Sequence, residues 1–310
     1  MKNFILISTV AFIYAVSCLS QNKGDFEPLY NGKDLTNWTL EKSGGFEEID
    51  GELITRSFGS GNDIFTNRRY GNFILHLEFM LSKVGNSGIF IRCNPSDPDA
   101  GFEVQLLAPW TPWRDDLHCT GSIYGHVAVT NRPDETTGIW YKMEIKCDRN
   151  IVTVSINDKV TTMANTDTVK SMDGKPYYGV IGIQGNHADE QGQFAKFRNI
   201  YIRDLDAEPD YVLNGFCDKN DQLRNLAVVA SVNLGAKMIP PLADLMSGDN
   251  PMAKNGAKQA LFDIVAKSSD PVAPAKEKKE IRSVLNKTIK TSSSEITVNY
   301  LKWLSGLIID

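Results

Sequence analysis

Histidine and cysteine are scarce in this chain, four and five residues in 310. No C-x-x-C pair and no Cys/His group falls at zinc-ligand spacing, which excludes the common structural zinc modules. Beyond residue 20 the cysteines are Cys93, Cys119, Cys147 and Cys217, too scattered for a disulfide framework. Most read as small core residues, with export leaving room for one bridge. Positive charge is also short: 33 Lys and Arg against 38 Asp and Glu give a net charge of −5. Without a basic stripe, nucleic acid is excluded as a general partner. Acidic side chains outnumber basic ones up to about residue 210, and the balance reverses after it. No nucleotide cofactor is expected.

Long apolar runs are missing too, with one short exception. Lys2 precedes an apolar stretch from Phe4 to Val16, followed by Ala15-Val16-Ser17-Cys18. A charged start, a short apolar segment and a small-residue site make residues 1–20 a signal peptide, too short to span a bilayer comfortably. The chain is therefore expected to be exported, to the periplasm or bacterial cell envelope. Ser17-Cys18 fits two readings. One is a lipoprotein site, where Cys18 becomes the acylated N-terminus and attaches the protein to the membrane. The other is ordinary cleavage nearby, since Ala15 replaces the Leu usual three residues before a lipid-bearing Cys.

What remains is an ordinary globular composition, 42% hydrophobic and 23% charged, long enough for one large domain and a smaller one. From Phe26 to about Leu205 the period is two. Alternating runs occupy Phe73–Met80, Ile89–Arg92, Phe102–Leu106, Tyr141–Lys146, Val152–Ile156 and Tyr178–Gln184, separated by turn signals such as Asn31-Gly32, Asp50-Gly51 and Asn157-Asp158. Many short strands without helical periods indicate an antiparallel β-sandwich or jelly roll over residues 25–205. After Asp204 the spacing becomes three and four, over Gln222–Leu234, Ala236–Met246, Met252–Lys267, Glu277–Lys290 and Ser294–Leu307. Residues 213–310 thus read as a small α-helical module of HEAT type, a packing or docking unit for a protein partner.

Strand parity sorts the polar residues, because side chains two apart share a face. His76 and Glu78 alternate with Leu75, Leu77 and Phe79, and Glu103 and Gln105 alternate with Phe102, Val104 and Leu106. Arg92 shares parity with Phe90, opposite Ile89 and Ile91. Lys142 and Lys146 read as a solvated face. For His76, Glu78, Arg92, Glu103 and Gln105 two readings stand, a solvated face or a ligand groove. The loop "LLAPWTPWRDDLHCTGSIYGH" would line such a groove with Trp110, Trp113, His118, Tyr124 and His126. Aromatic rings stack on the apolar faces of sugars, and planar Arg, amide and carboxylate groups bind vicinal hydroxyls, so the groove suits a carbohydrate. Asp97 and Asp99, or carboxylate–His combinations in the groove, are candidates for a divalent metal, whose identity the pattern leaves unknown.

At this point the chain resembles the 3-keto-disaccharide hydrolase family, which has a concanavalin-like jelly roll. The matching stretches are "FEPLYNGKDLTNW" (26–38), "NSGIFIR" (86–92), "GFEVQLL" (101–107), "TGSIYG" (120–125), "GIWYKMEI" (138–145), "SINDKV" (155–160), "YGVIGIQ" (178–184) and "FAKFRNIYIRDL" (194–205). The tail, more loosely, resembles HEAT-like segments found with such domains. The resemblance implies cleavage of 3-keto-glycosides by 1,2-elimination or net hydrolysis. A ketone at C3 acidifies the C2 proton, so a base can remove it and expel the C1 substituent. In that scheme Glu103 is the leading base, Glu78 the next candidate, and His118 or His126 loop alternatives. Arg92 would stabilise an enolate oxygen or anchor hydroxyls, while Gln105 and Tyr124 orient the sugar, with Tyr124 a proton donor. Gln184 falls on a face that parity alone leaves open. His187 lies three residues after Gln184, where some relatives place a His two residues on. Laminarinase-type jelly rolls present E-x-D-x-x-E on one strand; here Glu103 is followed by Gln105 and Ala108, one carboxylate only. That disfavours double displacement, which needs two carboxylates, and suits elimination, which needs no nucleophile. The rival readings are a non-catalytic glycan-binding module and a conventional glycoside hydrolase on the same fold.

Overall fold

A computed structural model describes residues 26–41, 45–55, 62–112, 114–186 and 192–308. The signal-peptide reading with Cys18, and the candidates Trp113 and His187, lie outside these residues. Strands β1 (Glu27–Pro28) through β13 (Ala195–Asp204) form two antiparallel sheets. The eight-stranded sheet runs β11-β10-β9-β6-β13-β4-β3, with β1 paired to β13. In chain order these are β3 (Phe46–Ile49), β4 (Glu52–Thr55), β6 (Phe73–Leu81), β9 (Tyr141–Asp148), β10 (Ile151–Ile156) and β11 (Lys159–Asn165). The five-stranded sheet runs β2-β5-β12-β7-β8, from β2 (Trp38–Leu40), β5 (Ile64–Thr66), β7 (Asn86–Cys93), β8 (Phe102–Leu107) and β12 (Val180–Ile183). Neighbours are mostly not consecutive in the chain, which is jelly-roll connectivity.

The core is the gap between the sheets. Phe73, Leu75, Leu77 and Phe79 of β6 meet Ile89 and Ile91 of β7, Val104 and Leu106 of β8, and Ile181 and Ile183 of β12, all buried in one cluster. Each such side chain contributes roughly 1.5–3 kcal/mol by leaving water. The burial of β6 alternates strictly along its nine residues, so period two in the sequence is period two in the fold.

Parity fails at Arg92. Val180 of β12 pairs with Cys93 and Gly182 with Phe90, so Ile181 faces two residues, Ile91 and Arg92. This β-bulge, with Arg92 at φ 51°, turns the arginine inward. A Cβ on Gly179 would lie 2.6 Å from the Arg92 carbonyl oxygen, so the bulge needs a glycine beside it. Arg92 is fully buried. Its Nε donates to Gly71 O at 2.8 Å, and its guanidinium lies 5.5 Å from the Tyr177 ring centroid. Both terminal nitrogens are buried without a hydrogen-bond partner. Arg92 is therefore a core residue at one end of the sandwich, not a groove residue, which corrects the reading from parity.

Six α-helices follow among the described residues: α1 (Pro209–Gly215), α2 (Asp221–Leu234), α3 (Ile239–Ser247), α4 (Pro251–Ser268), α5 (Ala275–Thr291) and α6 (Glu295–Leu307). Pro240 and Pro241 do not break α3; they occupy its first turn, where the missing N–H groups are not needed. Asn220 and Asn250 cap α2 and α4 with side-chain oxygens. A second core gathers Phe216, Leu242, Leu261, Ile264, Leu285, Leu301 and Leu304. Polar contacts join the helices to the sandwich: Tyr211 donates to Asp148 at 2.7 Å, and Asn220 donates to Tyr177 at 3.1 Å.

Truncating Arg92 empties buried volume beside Tyr177 and Gly71. Arg92→Ala is expected to lower unfolding free energy by about 3 kcal/mol, read by urea denaturation. An unchanged midpoint would contradict the interior placement.

Candidate functional site

The outer face of the five-stranded sheet carries the chemistry. Register aligns Phe65, Gly182, Phe90 and Glu103 in one row across β5, β12, β7 and β8. The next row brings Gln184, whose N–H donates to Gly88 O at 2.9 Å, beside Gly88, which pairs with Gln105. Asp63 directly precedes the inward Ile64, so it falls on this outer face, and its Oδ1 accepts from Gly185 N at 2.9 Å. Two glycines leave the middle of the face without side chains. The polar groups Asp63, Gln184, Glu103 and Gln105 stand around those glycines, with Glu103 lying over Gly88 and the Phe65 and Phe90 rings over Gly182.

A long loop between β8 and β9 completes the edge. Residues 121–124 run alongside β8: Gly121 N donates to Gln105 O at 2.9 Å, Gln105 N to Ser122 O at 3.1 Å, and Tyr124 N to Glu103 O at 2.9 Å. Arg114 and Glu135 form an ion pair that ties the loop's two arms together. Ile123 points into the core, so its neighbour Tyr124 points out, beside Glu103. His118 packs edge-on against Tyr124 with centroids 4.8 Å apart, and its Nδ1 is 2.7 Å from Asp115 Oδ1. The bond to His118 holds the Asp115 carboxyl below its usual range.

Glu103 is the perturbed group. Burial first, then the charges of Asp99 and Asp63, push its carboxyl from 4.5 up to about 8, against a hydrogen bond with the Gln184 side chain that acts in the opposite direction. Its Oε1 is buried without a hydrogen-bond partner. Gln105 and Gln184 are buried on either side. Gln105 Oε1 accepts from Leu106 N at 2.8 Å, which leaves the amide N–H groups to donate elsewhere. Tyr124 is itself held above the usual phenol range by burial, then by Glu103 and Asp115. A carboxyl poised near neutral pH, next to a protonated phenol and amide donors, can exchange a proton with a bound molecule.

Several candidates lie elsewhere. His76 and Glu78 stand on the outer face of the other sheet, across the core from Glu103, which corrects their placement in one groove with it. There His76 Nε2 is 2.7 Å from Glu144 Oε2, and Glu78 accepts from Arg198 Nε at 2.7 Å and Asn199 at 3.1 Å. Both are cross-strand surface pairs. Parity is indifferent to which sheet a strand joins, so the sequence merged two faces into one. His126 packs edge-on against the inward-facing Phe102 and bonds Ser171 at 3.0 Å, around the edge of β8 and away from Glu103. Trp110 is 39% exposed on the loop. Among the described residues no three His, Cys, Asp or Glu side chains converge as a metal site. A cleft of about 380 Å³ opens instead where the sandwich meets α2, lined by Tyr70, Asp204, Asp206 and Val229 among others, and it contains none of the predicted site residues. Asp63 and Gly88 were missed by the sequence reading. The β5 run is only three residues long, too short to show its parity.

The two-sheet jelly roll belongs to a carbohydrate-active class of protein, as its family shows. Residues 25–203 match the family model of the 3-keto-alpha-glucoside-1,2-lyase-like domain, more than half of the chain, and the chain belongs to that family. A 3-keto-disaccharide hydrolase of Bacteroides thetaiotaomicron is 25% identical over 225 residues, 56% of this chain and 73% of the relative. A crystal structure from Parabacteroides distasonis ATCC 8503, assigned as a glycosyl hydrolase, is 27% identical with a TM-score of 0.51, covering 57% of this chain and 98% of that one. A second from the same organism, 21% identical with a TM-score of 0.50, covers 58% of this chain and 94% of that one and shows the shared fold.

Glu103 also links stability to pH. Its folded pKa lies above the unfolded value of 4.5, so the native state binds its proton more tightly. The resulting stabilisation is complete below 4.5 and is lost as pH rises through about 8. Glu103→Gln is expected to remove this loss, so its Tm advantage over the parent should be larger at pH 9 than at pH 5. Equal advantages at both pH values would show that the carboxyl titrates normally.

Proposed function

We propose that the protein cleaves 3-keto-glycosides, with Glu103 as the base that removes the C2 proton. The single observation that carries this reading is the Glu103 carboxyl, raised to about 8 on a face floored by glycine and flanked by Gln184, Gln105 and Tyr124. Family membership supplies the substrate class.

The Glu103 carboxylate takes the C2 proton, and the C–H electrons delocalise into the C3 ketone as an enolate. Collapse of the enolate forms the C1=C2 double bond and breaks the bond from C1 to its oxygen substituent. Tyr124 gives the departing oxygen a proton, a role its raised pKa suits, because the phenol stays protonated at neutral pH. The N–H groups of Gln105 donate to the developing enolate oxygen, the task that the family resemblance assigns to Arg92 in the sequence analysis. For net hydrolysis, water gives one proton to the Tyr124 phenolate as its hydroxide joins C1 of the enone, and the Glu103 proton returns to C2, which restores both groups. A base of pKa near 8 is far stronger than an ordinary glutamate while about a tenth of it is ionised at pH 7. The reading of residues 1–20 adds export to the cell envelope to this proposal.

The test incubates the purified protein with an aryl glucoside and with its 3-keto derivative. Aglycone is expected only from the keto form, with kcat/KM rising with pH to a plateau above about 8. Glu103→Gln is expected to lower kcat by about 10²-fold or more. Cleavage of the unoxidised glucoside would assign a conventional glycosidase, and binding without turnover a glycan-binding module. An activity that falls as pH rises through 8 would make Glu103 the proton donor instead of the base.

A further inference from the structure

The register of β7 and β8 sets Glu103 opposite Phe90 and Gly88 opposite Gln105. A glutamate rising straight from the sheet would stand beside Phe90. Instead its side chain lies over Gly88: a Cβ built on that glycine would fall 2.8 Å from Glu103 Cγ and 2.9 Å from Cδ, and would collide with Oε1. The three atoms nearest to that position all belong to Glu103. On the far side of Gly88, in β12's continuation, sits Gln184, whose side-chain amide favours the charged form of the Glu103 carboxyl. The side chain therefore leans diagonally across β7 toward Gln184.

Backbone geometry does not account for a glycine here. Gly88 is not among the residues with positive φ, so an L-residue fits its conformation. Glycine inside a strand is also disfavoured by about 0.5–1 kcal/mol relative to alanine. Gly182 in the neighbouring strand has a packing reason, since a Cβ there would meet the Phe65 and Phe90 rings at 2.8 and 3.1 Å. At Gly88 the nearest atoms are instead those of one flexible side chain, Glu103.

We propose that Gly88 is a positioning residue, whose bare Cα is the seat across which Glu103 folds to bring its carboxyl to Gln184 and hold it over the groove floor. Its kinetic consequence rests on the reading of Glu103 as the reacting carboxyl; its structural consequence does not. A methyl group at this position would displace a mobile side-chain end, not backbone, so the strand survives while the carboxyl moves. The charged and titratable groups facing Glu103 are Asp99 from the loop before β8, Asp63 from the start of β5 and Tyr124 from the edge loop. None of them changes in the variant.

The test is Gly88→Ala, with three readouts. Thermal unfolding is expected to stay within a few degrees of the parent. The Glu103 carboxyl, followed by NMR of protein carrying ¹³C-labelled glutamate and identified by its loss in Glu103→Gln, is expected to titrate well below 8 once it leaves its seat. On a 3-keto-glucoside, kcat is expected to fall at least about tenfold with little change in KM, because the base is misplaced while the sugar contacts stay. A second variant, Gly88→Ala in a Glu103→Asp background, is expected to add no further kinetic loss, since the shorter acid does not reach the seat. Unchanged titration in Gly88→Ala would overturn the proposal, as would a loss of activity matched by a loss of stability. If the parent protein does not cleave the 3-keto-glucoside, the functional reading fails and the titration alone still decides the seat.

Discussion

Everything in the sandwich depends on the pairing of two dry faces. One side of each sheet is committed to the gap that holds Phe73, Phe79, Val104 and Ile181. The pleat then forces every alternate residue to the other side, where it is free to be polar. On the eight-stranded sheet that freedom is spent on cross-strand ion pairs such as His76–Glu144 and Glu78–Arg198. On the five-stranded sheet it is spent on Asp63, Gln184, Glu103 and Gln105 around two glycines. The two outer faces differ less in their residue types than in what surrounds them. The pairs of the eight-stranded sheet stand at the surface, whereas Glu103, sheltered beside two further carboxylates, keeps its proton to near neutral pH.

The device that separates core from site is the bulge in β7. One extra residue lets Ile91 and Arg92 both face Ile181, and the arginine enters the sandwich end beside Gly71 and Tyr177. Beyond the bulge, Cys93 returns to the outer side with Phe90 and Val180. The same strand thus supplies an interior cation at one end and the glycine floor beneath Glu103 at the other. Arg92 also lies near the junction with the helices, where Asp206 accepts hydrogen bonds from Asn72 and feels the arginine's charge. The helical part keeps its own core and is joined to the sandwich by such polar contacts and by Leu226 of α2, which packs against Gly71.

Much of the fold was legible because long strands advertise their period. The β6 stretch alternates over nine residues, and the helices α2, α4, α5 and α6 end within about two residues of their apolar pattern. Short elements were not legible: three-residue β5 and β2, and the seven-residue α1, hold too few side chains to show a period. In the site, Glu103, Gln105 and Tyr124 could be placed together, because two lie on one strand and the third on the loop that follows it. Gln184 comes from a distant strand, and only the pairing of β12 with β7 brings it beside Gly88.

The sequence by itself determined the two classes of secondary structure, the alternation that sends Glu103 and Gln105 away from the core, and the motifs that carry the family. These are local properties, set by side-chain spacing and backbone preference within a few residues. Only the tertiary structure decided that His76 and Glu78 belong to the opposite sheet, that Arg92 is interior, and that Asp63 and Gln184 share a face with Glu103. Each of those depends on which strands pair and in what register, and on one bulge that breaks the count. The shifted acidity of Glu103 is likewise a tertiary property, because burial and neighbouring charge come from segments far apart in the chain.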